Sequence, residues 1–274
     1  MELNGIKRSF LIIVWALVFY PVYSGLMEAW FGMSNGDNSY GILVPFISLY
    51  LIWKKKEDLQ HASSSSSALG LIILIASLLL YVVSFAGDVV FLQRLMMVIS
   101  LIGLILYVYG KEIFQILRFP LVFLLFMVPI PESVVSMVSF PLQTYATIIS
   151  TKIIQLCGIP VYREGHMLYF TKTQLEVAEA CSGIRSISAL LMLSVIFMHQ
   201  CENSRTRKTI IILSSVVIAF IANIFRVSGT GILAHFFGAG VARGFLHEFS
   251  GMSVFAVGFA MMFVEYKLLN REWL

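Results

Sequence analysis

Charge is the first thing this sequence has little of. Lys, Arg, Asp and Glu make up 12% of its 274 residues, against roughly a quarter in an ordinary soluble domain. That excludes the usual soluble globular class. Cysteine is also scarce: Cys157, Cys181 and Cys201 form no CxxC pair, no zinc-type spacing and no disulfide framework. None of the five histidines pairs in an HExxH spacing, so a zinc site is not indicated, and no metal or organic cofactor is expected. Gly-x-Ser-x-Gly is missing as well, which weakens a serine-nucleophile reading of Ser182 or Ser228. What the sequence has in plenty is apolar surface, with 59% hydrophobic residues and a mean hydropathy of +0.89.

The apolar residues come in long runs separated by charge, which predicts membrane-spanning helices of about 20 residues. Barrel strands, alternating over about 10 residues, do not fit such continuous runs. The expected spans are Phe10 to Met27, Gly41 to Trp53, Leu71 to Ala86, Val90 to Tyr109, Phe119 to Ile130, Ile184 to His199, Thr209 to Phe225 and Met252 to Leu268. The first has a basic flank and no small-residue cleavage site, so it reads as an uncleaved signal anchor. Ser63 to Ser67 reads as a flexible surface linker between helices.

Glu132 to Cys157 is hydrophobic enough to cross, yet it holds Pro141, Gln143, Lys152 and Gln155. Charge distribution decides its place. If it lies along the interface as an amphipathic helix, the cytoplasmic side collects Lys7, Arg8, Lys54, Lys55, Lys56, Lys111, Arg118, Arg205, Arg207, Lys208, Lys267 and Arg271, twelve of the nineteen basic residues. If it crosses, the Arg205 to Lys208 turn moves outside, against the positive-inside tendency. The expectation is therefore an all-α polytopic membrane protein of eight spans, both termini cytoplasmic, forming one domain over 1–274. Its extracytoplasmic parts are 132–183, an interfacial helix plus a β-rich lid, and 226–251, a catalytic loop. Alternating residues around Gly165 and the Thr171 to Thr173 turn predict a small hairpin or three short strands within that lid. The net charge of +4 is explained by basic helix ends, so nucleic acid is not an expected partner.

Ionisable residues are costly in a membrane and mark function or pairing. They gather in three places: Glu176 to Ser186, which holds Glu179, Cys181 and Arg185; Ala222 to Gly231, which holds Asn223 and Arg226; and His247 to Gly251. Under the expected topology all three reach the outer face. A thiol, an arginine and a histidine on one face suffice for cysteine acyl chemistry. Nearby cations enlarge the thiolate fraction, a histidine takes the thiol proton and returns it to the leaving amine, and an arginine stabilises the oxyanion. Blander readings stand beside this one. Cys181 could be a small buried hydrophobe, Arg185 a structural partner of Cys181, Glu179 or Glu248, Arg226 a snorkelling anchor, and His247 an interfacial hydrogen-bonder. A transporter or flippase subunit for an anionic glycolipid is the competing functional class.

At these residues the sequence resembles the exosortases, bacterial membrane cysteine transpeptidases. The resemblance runs through Gly41-Ile42-Leu43-Val44-Pro45, Phe126 to Pro131, Gly158 to Gly165, Leu175 to Ser186, Ala222 to Val227, Thr230-Gly231 and His247. It implies that Cys181 is the nucleophile, Arg226 the essential arginine and His247 the third catalytic residue; Glu179, Arg185 and Asn223 are the residues expected to support them. It implies substrates that are secreted proteins with a C-terminal sorting signal: a Pro-Glu-Pro motif, a hydrophobic helix and a basic tail. The motif's acid is expected to meet Arg163 or Arg185. A surface, lipid-linked or glycan-linked acceptor, membrane lipid and a separate accessory protein are the other expected partners, and the bacterial inner membrane is the expected location. Tyr40 departs from the family pattern, which commonly has histidine there.

Overall fold

In the computed structural model the described residues are 5–31, 40–177, 184–201, 204–238, 240 and 245–270; for Arg185 and for 245–254 only the backbone is described. The chain is mainly helical with one small sheet, and it divides into two compact units, Met1–Pro131 and Glu132–Leu274.

The first unit contains α1 (Gly5–Val18), α2 (Tyr20–Phe31), α3 (Leu43–Lys54), α4 (Lys56–His61), α5 (Ala68–Ala86) and α6 (Val90–Phe123), the last followed by a 3-10 turn at Leu124–Met127. Helices α1 and α2 meet at 58°. The break falls beside Pro21, whose ring lacks an N–H and crowds the carbonyl four residues back. Phe19 sits at the bend with no exposure and packs on Trp15 and Tyr81, centroids 5.4 and 4.5 Å away.

Helix α6 is two limbs rather than one rod. Gly110 interrupts it with φ +90° and ψ −176°, a conformation that glycine adopts cheaply. Arg94 donates to the Gly25 carbonyl at 2.8 Å and Trp30 donates to the Met127 carbonyl at 3.3 Å. Gly25 and Trp30 are five residues apart on one helix, about 8 Å, whereas a straight helix would separate Arg94 from Met127 by about 50 Å. The limbs therefore double back at Gly110, and the break falls between the expected spans Val90 to Tyr109 and Phe119 to Ile130. At the turn, Ser65 donates to the Tyr109 carbonyl and Ser63 donates to Glu112, so the serine run is tied to the reversal.

The first limb packs antiparallel on α5 through glycines. A Cβ on Gly70 would lie 2.2 Å from the Tyr107 backbone nitrogen, and one on Gly103 would lie 2.7 Å from that of Leu74. Close backbone approach of this kind is how helices associate where lipid offers no hydrophobic contrast. Helix α3 packs on the second limb, where Ser48 donates to the Pro120 carbonyl at 2.8 Å and Lys55 to that of Ile116 at 3.0 Å.

The second unit contains α7 (Glu132–Leu156), β1 (Val161–Glu164), β2 (Met167–Phe170), β3 (Gln174–Glu176), α8 (Ile184–Gln200), α9 (Arg205–Phe237) and α10 (Phe245–Asn270). The strands form an antiparallel sheet in the order β1-β2-β3, with Val161 opposite Phe170 and Leu168 opposite Leu175. The β1–β2 turn has Gly165 at its first central position with φ +57°, as a two-residue hairpin requires. Val161, Leu168, Phe170 and Leu175 share one face and form a core with Ile154 of α7 and Val227 and Ala234 of α9. A second core joins Ile187 and Leu190 of α8, Ile211 and Ile218 of α9, and Met262 of α10.

Helix α9 corrects one expectation. The span expected to end at Phe225 continues as helix to Phe237. Arg226 had looked like an exit signal, but a helix satisfies its own backbone and carries a charged side chain without ending. Among the described residues, three helices are long and apolar enough to cross a membrane: Ala68–Ala86, Val90–Met127 and Arg205–Phe237. The bent pair Gly5–Val18 and Tyr20–Phe31 makes a fourth, against the eight spans expected. Tyr40–Lys54 and Ser186–Gln200 are shorter apolar helices.

Candidate active site

Helix α9 is the spine on which the site is built. Lys208 and Arg226 are eighteen residues apart on it, about 27 Å of helix, close to the roughly 30 Å of a hydrocarbon core. Its basic start and Arg226 are thus spaced like the two edges of a bilayer.

The neighbouring helices fix what shares a level with Arg226. Gly258 of α10 stands against Leu190 of α8 and Ile218 of α9: a Cβ there would lie 2.8 Å from Leu190 Cδ1 and 3.8 Å from Ile218 Cγ2. One end lower, Ser214 donates to Glu265 Oε2 at 2.7 Å and Phe197 stacks on Tyr266 at 4.9 Å. Helices α8 and α10 therefore run together, antiparallel to α9. Two turns back from Gly258 on α10, two turns on from Ile218 on α9 and two turns back from Leu190 on α8 reach one level. That level holds Arg226, the first turn of α8 and residues near 251 of α10, and the backbone of His247 lies one turn beyond. Arg226 is half-buried, and Asn223, one turn earlier on α9, is 1% exposed.

Cys181 and Glu179 lie outside the described residues, as do the side chains of Arg185 and His247. The chain entering that stretch is described, and it is held firmly. Val177, four residues before Cys181, is 2% exposed in the sheet core. Its N–H donates to the His166 carbonyl at 2.9 Å, and its carbonyl accepts the side-chain amide of Gln143. The next residue on α7, Thr144, meets the His166 ring: Thr144 Oγ1 lies 2.9 Å from His166 Nε2. That hydroxyl already donates its proton to the Phe140 carbonyl at 2.9 Å. With that proton so used, the contact suits a ring N–H on Nε2 donating to Thr144. Gln143, Val177, His166 and Thr144 form a closed loop joining α7 to the sheet. Gln143 had stood out in the sequence only as a polar residue in an apolar stretch, and nothing there paired it with Val177.

Arg163, expected to meet a substrate acid, donates from Nη1 to the Gly165 carbonyl at 2.8 Å and so braces the β1–β2 turn. Cys201 occupies the opposite end of the unit from Arg226. It is 4% exposed, and burial pushes its thiol above the ordinary range against the opposing pull of Asn270, Lys208 and Arg207. A buried thiol so disfavoured as thiolate is a poor nucleophile. Cys157 is exposed at the end of α7. Among the described residues no group of His, Cys, Asp and Glu is arranged to hold a metal ion.

Compared with known proteins, the chain has no significant match among curated sequences or among solved structures. A sequence profile described as transmembrane exosortase matches residues 30–264. That stretch includes α3, the doubled-back α6, the sheet, the full length of α9 and most of α10. The chain belongs to the transmembrane exosortase family.

Proposed function

We propose that this protein is a membrane cysteine transpeptidase that cleaves C-terminal sorting signals of secreted proteins. One observation carries the reading furthest: the antiparallel register of α8, α9 and α10. Cys181 precedes α8 by three residues, Arg226 lies on α9 and His247 lies in the first turn of α10. The starts of α8 and α10 and the Arg226 turn of α9 share the end of the unit opposite its basic turn, and this supports the reading.

In the proposed reaction, the substrate's apolar helix docks laterally and presents its extracytoplasmic Pro-Glu-Pro segment near Cys181. The Cys181 thiolate attacks the scissile carbonyl, His247 having taken the thiol proton. Arg226 stabilises the developing oxyanion. As the tetrahedral intermediate collapses, the C–N bond breaks, His247 returns the proton to the leaving amine, and a thioester remains on Cys181. An acceptor amine or hydroxyl on a lipid, a glycan or the surface then takes the acyl group and frees the thiol. Arg185 is the nearer candidate for the substrate acid, since Arg163 already serves the Gly165 turn. The enzyme works from the bacterial inner membrane with this site on the periplasmic side.

Co-expression with a candidate substrate, followed by mass spectrometry of its new C-terminus, tests the proposal. Cys181→Ala is expected to insert normally and to abolish cleavage. Continued cleavage by correctly inserted C181A protein would reject the nucleophile. Substrate-dependent glycolipid transport that survives this substitution would favour a transporter instead.

A further inference from the structure

We infer that Gln143 is a positioning residue for the nucleophile, acting through Val177, an inference that rests on Cys181 being that nucleophile. Gln143 lies on α7, thirty-four residues from the carbonyl it binds. It is 7% exposed, so its amide is committed to Val177 without competition from water. Val177 is the last described residue before the stretch that holds Cys181, and all three of its groups are fixed. Its side chain is in the sheet core, its N–H is on His166 and its carbonyl is on Gln143.

The arrangement is more than a general tie between helix and sheet. In the β2–β3 ladder the Val177 carbonyl would next pair with the N–H of His166, but His166 sits in the turn before β2 and offers no such partner. Gln143 therefore replaces the missing ladder bond where the sheet ends. Thr144, the adjacent residue on α7, holds the other member of this terminal pair through the His166 ring. Two neighbouring side chains of one helix grip both partners of the sheet's last hydrogen bond. The exit point of the nucleophile segment is thereby referred to α7, which also packs on the α9 helix that bears Arg226 through Ser150 and the Ile224 carbonyl, 3.1 Å apart. Helix α7 thus holds both the chain entering the Cys181 stretch and the helix that bears Arg226. Catalysis is sensitive to such referencing: a misplacement of about 1 Å originating away from the chemistry can cost about 100-fold.

The test uses full-length protein in nanodiscs carrying Gln143→Leu or Gln143→Glu. Leucine keeps the volume and removes the donor. Glutamate keeps the shape, but donates to the Val177 carbonyl only when protonated. Two quantities are read: the kcat and KM of sorting-signal cleavage, and the rate at which iodoacetamide alkylates Cys181, resolved from Cys157 and Cys201 by peptide mass spectrometry. Q143L is expected to lower kcat by roughly 10- to 100-fold with KM little changed, the range of a small misplacement, and to change the alkylation rate of Cys181 alone. For Q143E, the ratio of variant to wild-type kcat is expected to rise as pH falls, because the neutral carboxyl restores the donor. A merely structural tie would lower the amount of folded protein and leave kcat per folded molecule and its pH ratio unmoved; that result overturns the inference. So does unchanged alkylation of Cys181 in both variants. If the wild type cleaves no sorting signal, the functional reading fails, while the alkylation rate still decides whether Gln143 governs Cys181.

Discussion

The two units of this chain differ in what their long-range polar ties join. In the first, Ser77, Ser84 and Ser100 are each almost wholly buried and each donates to the carbonyl three residues earlier on its own helix. Such local back-bonding satisfies a hydroxyl within its own helix, although Ser100 also accepts from Trp15 of α1 at 2.9 Å. The first unit's long-range contacts join helix to helix: Gly70 and Gly103 let α5 and α6 touch backbone to backbone, and Ser48, Arg94 and Trp30 each donate to a carbonyl of another element. In the second, buried Gln143 and Ser150 reach Val177 and Ile224, and exposed Gln155 reaches Val161, so polar side chains tie α7 to the sheet as well as to α9. Strands of three or four residues have too few ladder bonds to hold themselves, and these side chains supply the difference. Under the proposed function, the first unit is scaffold and the second holds the chemistry. Substitutions in one should change how much protein inserts, and in the other what each inserted molecule does.

The largest expected contrast is between two arginines. Arg226→Ala should lower kcat for sorting-signal cleavage by about 100- to 1,000-fold, the cost of losing an oxyanion donor, with the protein still inserted. Arg94→Ala removes the donor to the Gly25 carbonyl in the first unit. It should reduce thermal stability and leave kcat per folded molecule within about twofold, since a stability loss leaves the chemistry of folded molecules unchanged. If R94A silenced folded enzyme, the division of labour would be wrong.

Next come the glycines. Gly70→Ala puts a methyl group 2.2 Å from the Tyr107 nitrogen. Backbone cannot step aside as a side chain can, so overpacking at the upper end of about 1–3 kcal/mol is expected. Gly231→Ala meets Ile154 Cδ1 at 2.6 Å, the free end of a side chain, and should cost less than about 1 kcal/mol. Its trace should appear in cleavage rather than in stability, because Ile154 belongs to the core beneath the sheet. Thermal unfolding in detergent, measured beside kcat, separates the two. Equal melting losses would show that the sheet-side packing is as rigid as the α5–α6 seam.

Much of the frame was legible before any coordinates, for identifiable reasons. The two limbs of α6 could be read because Lys111 and Gly110 interrupt an apolar run, and interrupted hydropathy is a local signal. The strands could be read from alternation around Gly165. The end of α9 could not: Arg226 looks the same in sequence whether a helix stops or continues. Nor could the Gln143–Val177 bond or the Trp30–Met127 bond, whose partners are 34 and 97 residues apart. Nothing local records which carbonyl a buried amide will find. Of the site itself, the residue types were legible, while the register that sets Arg226 level with the starts of α8 and α10 needed packed helices.

The finest test of the comparison sets one serine against another. Ser77 and Ser150 are both essentially unexposed in helices, 2% and 0%, and sequence does not distinguish their tasks. Ser77 donates to Leu74, three residues away, and Ser150 donates to Ile224, seventy-four away. Replacing Ser77 by alanine removes a donor and leaves the Leu74 carbonyl to its own helix, so the expected change is near zero. Replacing Ser150 by alanine removes a tie between α7 and α9. Interhelical hydrogen bonds in membranes average only about 0.6 kcal/mol, so unfolding would register a small shift. Cleavage should register more, because the same tie holds the helix that carries Gln143 against the helix that carries Arg226. An S150A enzyme with a slightly lowered midpoint and kcat down by severalfold, beside an S77A enzyme unchanged in both, is the expected pair. Matching effects at the two serines would mean that α7 is held to α9 by packing alone, and that the polar ties of the second unit are no more specific than those of the first.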